Sequence, residues 1–274
     1  MSDFLNMYGP LLLALLAAGA FAGLIAGLFG IGGGVVIVPS LAFAFDQLGY
    51  TEVSMHAAVG CSLATIIATS IRSAMAHHKR GAVDMEVVRG WVPWIMLGAI
   101  IGSLIAGYMP KTGMRAVFGC VLALVSLQFI FGRPNWKLRD DLPTGVARTG
   151  IAGFIGALSG IMGIGGGVFG VTLMTLCGKS VHKAVGTAAA FGAAIGLPAA
   201  IGFAISGWSV DGRPPFSIGY LNIPAILIIG VMTTSLAPLG AALAHRLNAT
   251  TLKKIFGAVM ILVAINMIRL ALGF

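Results

Sequence analysis

The residues best placed to do chemistry in this chain are glycines. Gly-Ile-Gly-Gly-Gly occurs as Gly30 to Gly34 and again as Gly163 to Gly167, each inside a long apolar stretch and each followed by Val. Glycine has no Cβ, so such a run lets the backbone leave helical geometry and approach a ligand or another helix closely. A helix that restarts after the break presents free N–H groups, and its dipole favours an anion there without help from any side chain. Restarts at about Val35 and Val168 place Gly30, Gly32, Gly33 and Gly34, and likewise Gly163, Gly165, Gly166 and Gly167, around a candidate anion site. A competing reading is that the glycines only permit close helix packing, as small-xxx-small motifs do. That reading suits Gly23/Gly27 and Gly98/Gly102 and explains three adjacent glycines badly.

Hydroxyls and cations supply the remaining candidates. Ser62, Thr65 and Thr69 fall at i, i+3 and i+7 of the most polar apolar segment and share one helix face. They can donate to an oxyanion or, more blandly, to carbonyls of their own or neighbouring helices. Arg72 belongs to the same segment, five residues before His77-His78-Lys79-Arg80. A charge at the bilayer centre costs ~2.5–3.5 kcal/mol on insertion scales, so snorkelling to the nearby surface is the default for Arg72. His56 and His182 hold matching positions at two helix starts, where imidazoles can titrate near neutral pH and couple protons, or serve structure alone. Ser159 and Thr187 flank the second glycine run.

The elements that position these residues are membrane helices. Hydrophobic residues make up 58% of the 274-residue chain and charged residues 9%, with a mean hydropathy of +1.00. Soluble domains carry about a quarter charged residues, so hydrocarbon is the main solvent here. The halves echo each other beyond the glycines. His56-Ala57-Ala58-Val59-Gly60-Cys61 answers His182-Lys183-Ala184-Val185-Gly186-Thr187, and Arg115 to Gly119 answers Lys253 to Gly257. Order is kept, which is the mark of a duplicated transporter unit, with repeats at residues 1–135 and 136–274 forming one integral membrane domain.

Each half reads as a long apolar region, 10–45 or 146–177, followed by three ordinary spans: 55–76, 88–109 and 114–131, or 184–206, 219–243 and 253–272. A single helix of ~36 residues would reach about 54 Å, too long for a bilayer, so each long region breaks at its glycines. Loop charges choose between topologies. With eight plain spans the Lys and Arg residues divide seven against nine, Arg72 set aside; with two re-entrant hairpins they divide twelve against four. The second division obeys the positive-inside rule far better. The expected fold is an all-α polytopic membrane protein of two inverted repeats. Each repeat is a glycine-broken re-entrant hairpin plus three transmembrane helices, with both termini outside.

Several function classes fall away. All eight Asp and Glu residues lie in loops or at helix ends, which disfavours a cation pump, and no Walker motif is present. The net charge of +9 sits in short links without interleaved aromatics, so it orients helices and does not bind nucleic acid. Cys61, Cys120 and Cys177 form no CxxC pair and read as small buried hydrophobes, with no metal or other cofactor expected. The start, MSDFLNMYGP, lacks a basic n-region and is expected to belong to the mature protein. Ser159 follows GxxSG and not the GxSG of intramembrane serine proteases, so catalysis is not expected.

GLIAGLFGIGGGVVIVPSLAF, its echo GALSGIMGIGGGVFGVTL, and AAVGCSLATIIATSIRSAMAHHKRGAVD resemble the TauE/SafE sulfite exporter family over essentially the whole chain. The resemblance implies a multi-pass carrier of the bacterial inner membrane for sulfite or organosulfonate anions, driven by the proton motive force. Thr172 stands where the first copy has Pro39, and Cys61 where Thr is usual, which leaves the particular anion open. An anion channel is the alternative, since helix N-termini at a constriction also suit a pore. The partners expected are thus a small anion and membrane lipid, and the resemblance implies export as the direction.

Overall fold

The computed structural model describes residues 2–29, 33–132, 138–244 and 249–273. The first half runs α1 (Ser2–Phe29), α2 (Gly34–Gln47), α3 (Ser54–Lys79), α4 (Met85–Tyr108) and α5 (Lys111–Phe131). The second runs α6 (Gly145–Met162), α7 (Gly167–Leu176), α8 (Val181–Ser206), α9 (Ile223–Ala244) and α10 (Ala249–Ala271). A two-residue ladder, β1 (Ser217–Ile218) with β2 (Leu221–Asn222), is antiparallel and precedes α9. Both long apolar regions are broken at their glycines, leaving a 14-residue α2 and a 10-residue α7. Among the described residues, six helices are long and apolar enough to cross a membrane: α3, α4, α5, α6, α8 and Lys254–Ala271 of α10. Outward faces stay apolar, as on Leu97, Ile101, Leu104 and Ile105 of α4, which suits a hydrocarbon surround and not water.

Small residues decide how these helices pair. Gly98 of α4 abuts the Gly153 backbone and Gly102 the Ala157 backbone, so α4 and α6 run parallel in near-backbone contact. On the other side of the molecule, Gly19 and Gly23 of α1 meet Ile229 to Leu236 of α9, again parallel. Dispersion and close approach drive such pairing in lipid, where burial of apolar surface offers little. The central pair differs. Gly186 abuts His77, Gly192 abuts Ser70, Gly196 abuts Leu63, and Gly60 abuts Phe203, so α3 and α8 run antiparallel. Gly119 on Ala264 and Ile268, with Gly257 on Ile130, makes α5 and α10 antiparallel too. Exchanging the halves maps this scheme onto itself: α1 with α9 becomes α6 with α4, and the α3–α8 and α5–α10 pairs are kept.

Candidate functional site

The two glycine breaks touch one another. Gly33, the residue before α2, has φ of 76°, and Gly163, the residue after α6, has φ of 70°. Both lie in the left-handed region, where a side chain is strained. A Cβ on Gly34 would lie 2.6 Å from the Gly163 carbonyl oxygen and 3.0 Å from the Ile164 Cα. Gly163 in turn is wedged against Val38 of α2 and Val59 of α3. Ser62 Oγ, fully buried on α3, donates to the Gly163 carbonyl at 2.7 Å. Elements of the first half therefore hold the turn of the second. Gly163, Gly165, Gly166 and Gly167 are all buried, and Gly166 is pressed against Phe191 and Ala188 of α8.

Neither short helix has a side-chain N-cap. The first residues of each, Gly34 and Val35 or Gly167 and Val168, are buried. An uncapped, buried N-terminus keeps the positive end of its helix dipole without a local counter-charge. Nearby, the Oγ of Ser159 is fully buried with no hydrogen-bond partner among the described residues, and so is Thr172 Oγ1 of α7. Two apolar-lined helix starts and spare hydroxyls can hold an anion; among the described residues no group of His, Cys, Asp and Glu gathers that could hold a metal ion.

The other sequence candidates spread out. Gly30 and Gly32 lie outside the described residues. Thr65 donates its hydroxyl to the Cys61 carbonyl at 2.9 Å and Thr69 to the Ile66 carbonyl at 3.1 Å, so both serve their own helix. Arg72 is exposed. Arg72→Gln is expected to retain anion flux within a few-fold of the parent, measured in reconstituted vesicles. His56 is buried, its ring nitrogen Nε2 3.0 Å from the Met109 carbonyl and its ring stacked on Tyr220 at 4.8 Å. His182, its counterpart in the repeat, is exposed. Thr187 is buried, and its Oγ1 accepts the Asp84 backbone N–H at 2.9 Å.

Sequence reasoning missed two features. Arg115 of α5 is buried and paired with Asp46 in the last turn of α2. Asn222 is buried, caps α9 by accepting from Ala225 N at 3.0 Å, and donates its own N–H to Cys61 Sγ at 3.2 Å. The matched Gly60-Cys61 and Gly186-Thr187 pairs were the available signal; their partners lie 161 and 103 residues away.

At the start of α4 and α6 a cavity of about 710 Å³ is lined by Asp84, Trp91, Arg139, Asp141, Arg148 and Lys179, among others. Burial raises the Asp84 carboxyl, but hydrogen bonds from Val87 N and Lys179 Nζ and the Lys179 and Lys183 charges outweigh it and hold it below the ordinary carboxylate value. A carboxyl depressed by folding stabilises the fold above its unfolded value and loses that contribution as pH falls through the folded value. Asp84→Asn should therefore lower stability at neutral pH and flatten the acid limb of a stability-versus-pH curve in detergent, the gap from the parent closing as pH falls below the ordinary carboxylate value.

Comparison with known proteins bears on this arrangement. Residues 15–267 match the family Sulfite exporter TauE/SafE. A probable membrane transporter protein of Haemophilus influenzae is 36% identical over 267 residues, covering 95% of this chain and 99% of that protein. A second, from Methanocaldococcus jannaschii, is 26% identical over 91% of this chain and 92% of its own length. A third, from Bacillus subtilis, is 33% identical over 59% of this chain and 66% of its own. No solved structure matches.

Proposed function

We infer that this chain, which belongs to the sulfite exporter TauE/SafE family, exports a small sulfur-containing anion such as sulfite or an organosulfonate. Its place as a multi-pass membrane transporter follows from the family and from its six apolar helices. The anion sits at the two glycine breaks, Gly33–Gly34 and Gly163–Gly167. The observation that carries this reading is the contact of Gly34 with Gly163, beside two buried helix starts that no side chain caps. A positive dipole end recognises charge sign without a fixed side-chain geometry, which suits a substrate class more than a single molecule. Orphaned Ser159 Oγ and Thr172 Oγ1 are added donors for its oxygens.

The inverted-repeat arrangement is part of the same proposal. Antiparallel α3 and α8, and antiparallel α5 and α10, support halves of opposite orientation. Eight plain spans would make α3 and α8, and α5 and α10, run parallel, so these antiparallel pairs also support long regions that turn back at the glycines as re-entrant hairpins. Non-helical backbone at membrane depth survives only inside protein or against a wet cavity, and the buried glycine turns meet that condition. A carrier is favoured over an open pore because the two breaks lie in direct backbone contact.

Reconstitution tests the reading. Vesicles holding the protein should show saturable, proton-dependent flux of labelled sulfite or a sulfonate, with sulfate and thiosulfate as competitors. Single-channel currents in place of saturable flux would establish the pore, and absence of flux for every tested sulfur anion would refute the substrate class.

A further inference from the structure

Two matching contacts flank the glycine crossing, one at each end of the antiparallel α3–α8 pair. At one end Gly60 abuts the Tyr220 carbonyl, and its neighbour Cys61 accepts the Asn222 N–H at 3.2 Å. At the other, Gly186 abuts the Ala82 carbonyl, and its neighbour Thr187 accepts the Asp84 N–H at 2.9 Å. Gly60-Cys61 and Gly186-Thr187 are the same repeat positions, and Asn222 and Asp84 do the same job as N-caps of α9 and α4. Residues 61 and 77, where Gly186 packs, are about 24 Å apart along α3 at 1.5 Å per residue, so the contacts lie toward opposite ends of the molecule.

Resting on the carrier reading, we propose that Cys61 with Asn222 and Thr187 with Asp84 are the carrier's two gate latches, equivalent across the repeat and both shut in this structure. Each latch is one residue from the glycine crossing: Ser62 donates to Gly163, and the Ala188 carbonyl lies against Gly166. Each also grips the cap of a helix that packs along a glycine-hairpin arm, α9 on α1 and α4 on α6. Releasing Cys61 frees the α1–α9 pair, and releasing Thr187 frees the α4–α6 pair. The latches differ in material. Tyr220 bolts the first by stacking on His56 and meeting Phe203 edge-on, with ring centroids 6.2 Å apart. The second has Ala82 in that place and gains a 3.4 Å Lys179–Asp84 ion pair. One shuts by apolar packing and the other by charge.

Sidedness of thiol labelling tests the latches. Cys120→Ser with Cys177→Ser leaves Cys61 as the sole thiol. Adding Cys61→Thr and Thr187→Cys moves that thiol to the second latch. With a membrane-impermeant maleimide on oriented vesicles, the thiol at 61 should react only from the face bearing Lys111 and Arg213. The thiol at 187 should react only from the face bearing Lys79 and Lys183. A sulfite gradient should shift the two rates several-fold in opposite directions. In the Cys61-only protein, Thr187→Val should lower Cys61 labelling several-fold, because loosening one gate keeps the other shut. Labelling of both positions from one face, rates that move together, or sulfite transport with neither thiol ever reacting would overturn the latches. Opposite-face labelling without any sulfite flux would retire the substrate reading and leave the latches standing.

Discussion

Valine at Gly33 or Gly34 should abolish anion flux while the protein still reaches the membrane in normal amount. At Gly33 the φ of 76° is left-handed, and an L residue there costs roughly 1–2 kcal/mol before any contact is counted. A β-branched side chain fares worse. At Gly34 the obstacle is steric, since a Cβ would overlap the Gly163 carbonyl, which Ser62 also needs as its acceptor. That oxygen belongs to backbone and cannot swing aside. Gly166→Val should act alike from the second motif, where Phe191 and the Ala188 carbonyl leave no room. Insertion is spared because the helices flanking each break keep their apolar length. Quantified vesicle flux beside membrane yield decides the matter: normal flux in Gly34→Val and Gly166→Val together would make the glycines packing elements only.

A second large effect is expected at the Asp46–Arg115 pair, on stability more than on transport. Arg115 has 8% of its side chain exposed and Asp46 22%, so the guanidinium depends on that carboxylate and not on water. Removing one member of a buried pair typically costs about 3–5 kcal/mol, because the other charge is left stranded. Partial exposure of Asp46 puts Asp46→Ala toward the lower end of that range. Replacing both, as Asp46→Leu with Arg115→Met, removes the stranded charge and should recover most of the loss. Thermal unfolding in detergent reads both variants, and equal destabilisation by the single and double changes would show that the pair contributes only packing. The pair also fastens the far end of α2 to α5, so loosened α2 should raise leak of small anions before the fold melts.

Much of the architecture was legible without coordinates, for local reasons. The apolar spans at 55–76, 88–109 and 184–206 lie within α3, α4 and α8 to within one or two residues, because hydrocarbon admits only continuous helices of that length. The breaks at the two glycine runs were equally plain, since glycine takes a left-handed φ, as at Gly33 and Gly163, without strain. Gly98 and Gly102 were rightly read as packing positions. The hydroxyl face Ser62, Thr65, Thr69 was only half informative. Its periodicity is real, yet Thr65 and Thr69 bond to their own helix while Ser62 alone reaches across to Gly163. Periodicity states which residues share a face and not what stands opposite it. His56 and His182 make the same point, being matched in sequence but buried against Tyr220 in one case and exposed in the other.

By itself, then, the sequence determined solvent, element count and where the helices must fail, because those depend on short-range chemistry: transfer to hydrocarbon and the missing Cβ of glycine. Only the tertiary structure decided that Gly34 rests on Gly163, that Asp46 finds Arg115, and that Cys61 and Thr187 grip the caps of distant helices. Each of these joins residues 69 to 161 positions apart. Such pairings follow from the crossing of whole helices, and the spacing along one chain carries no record of which faces will meet.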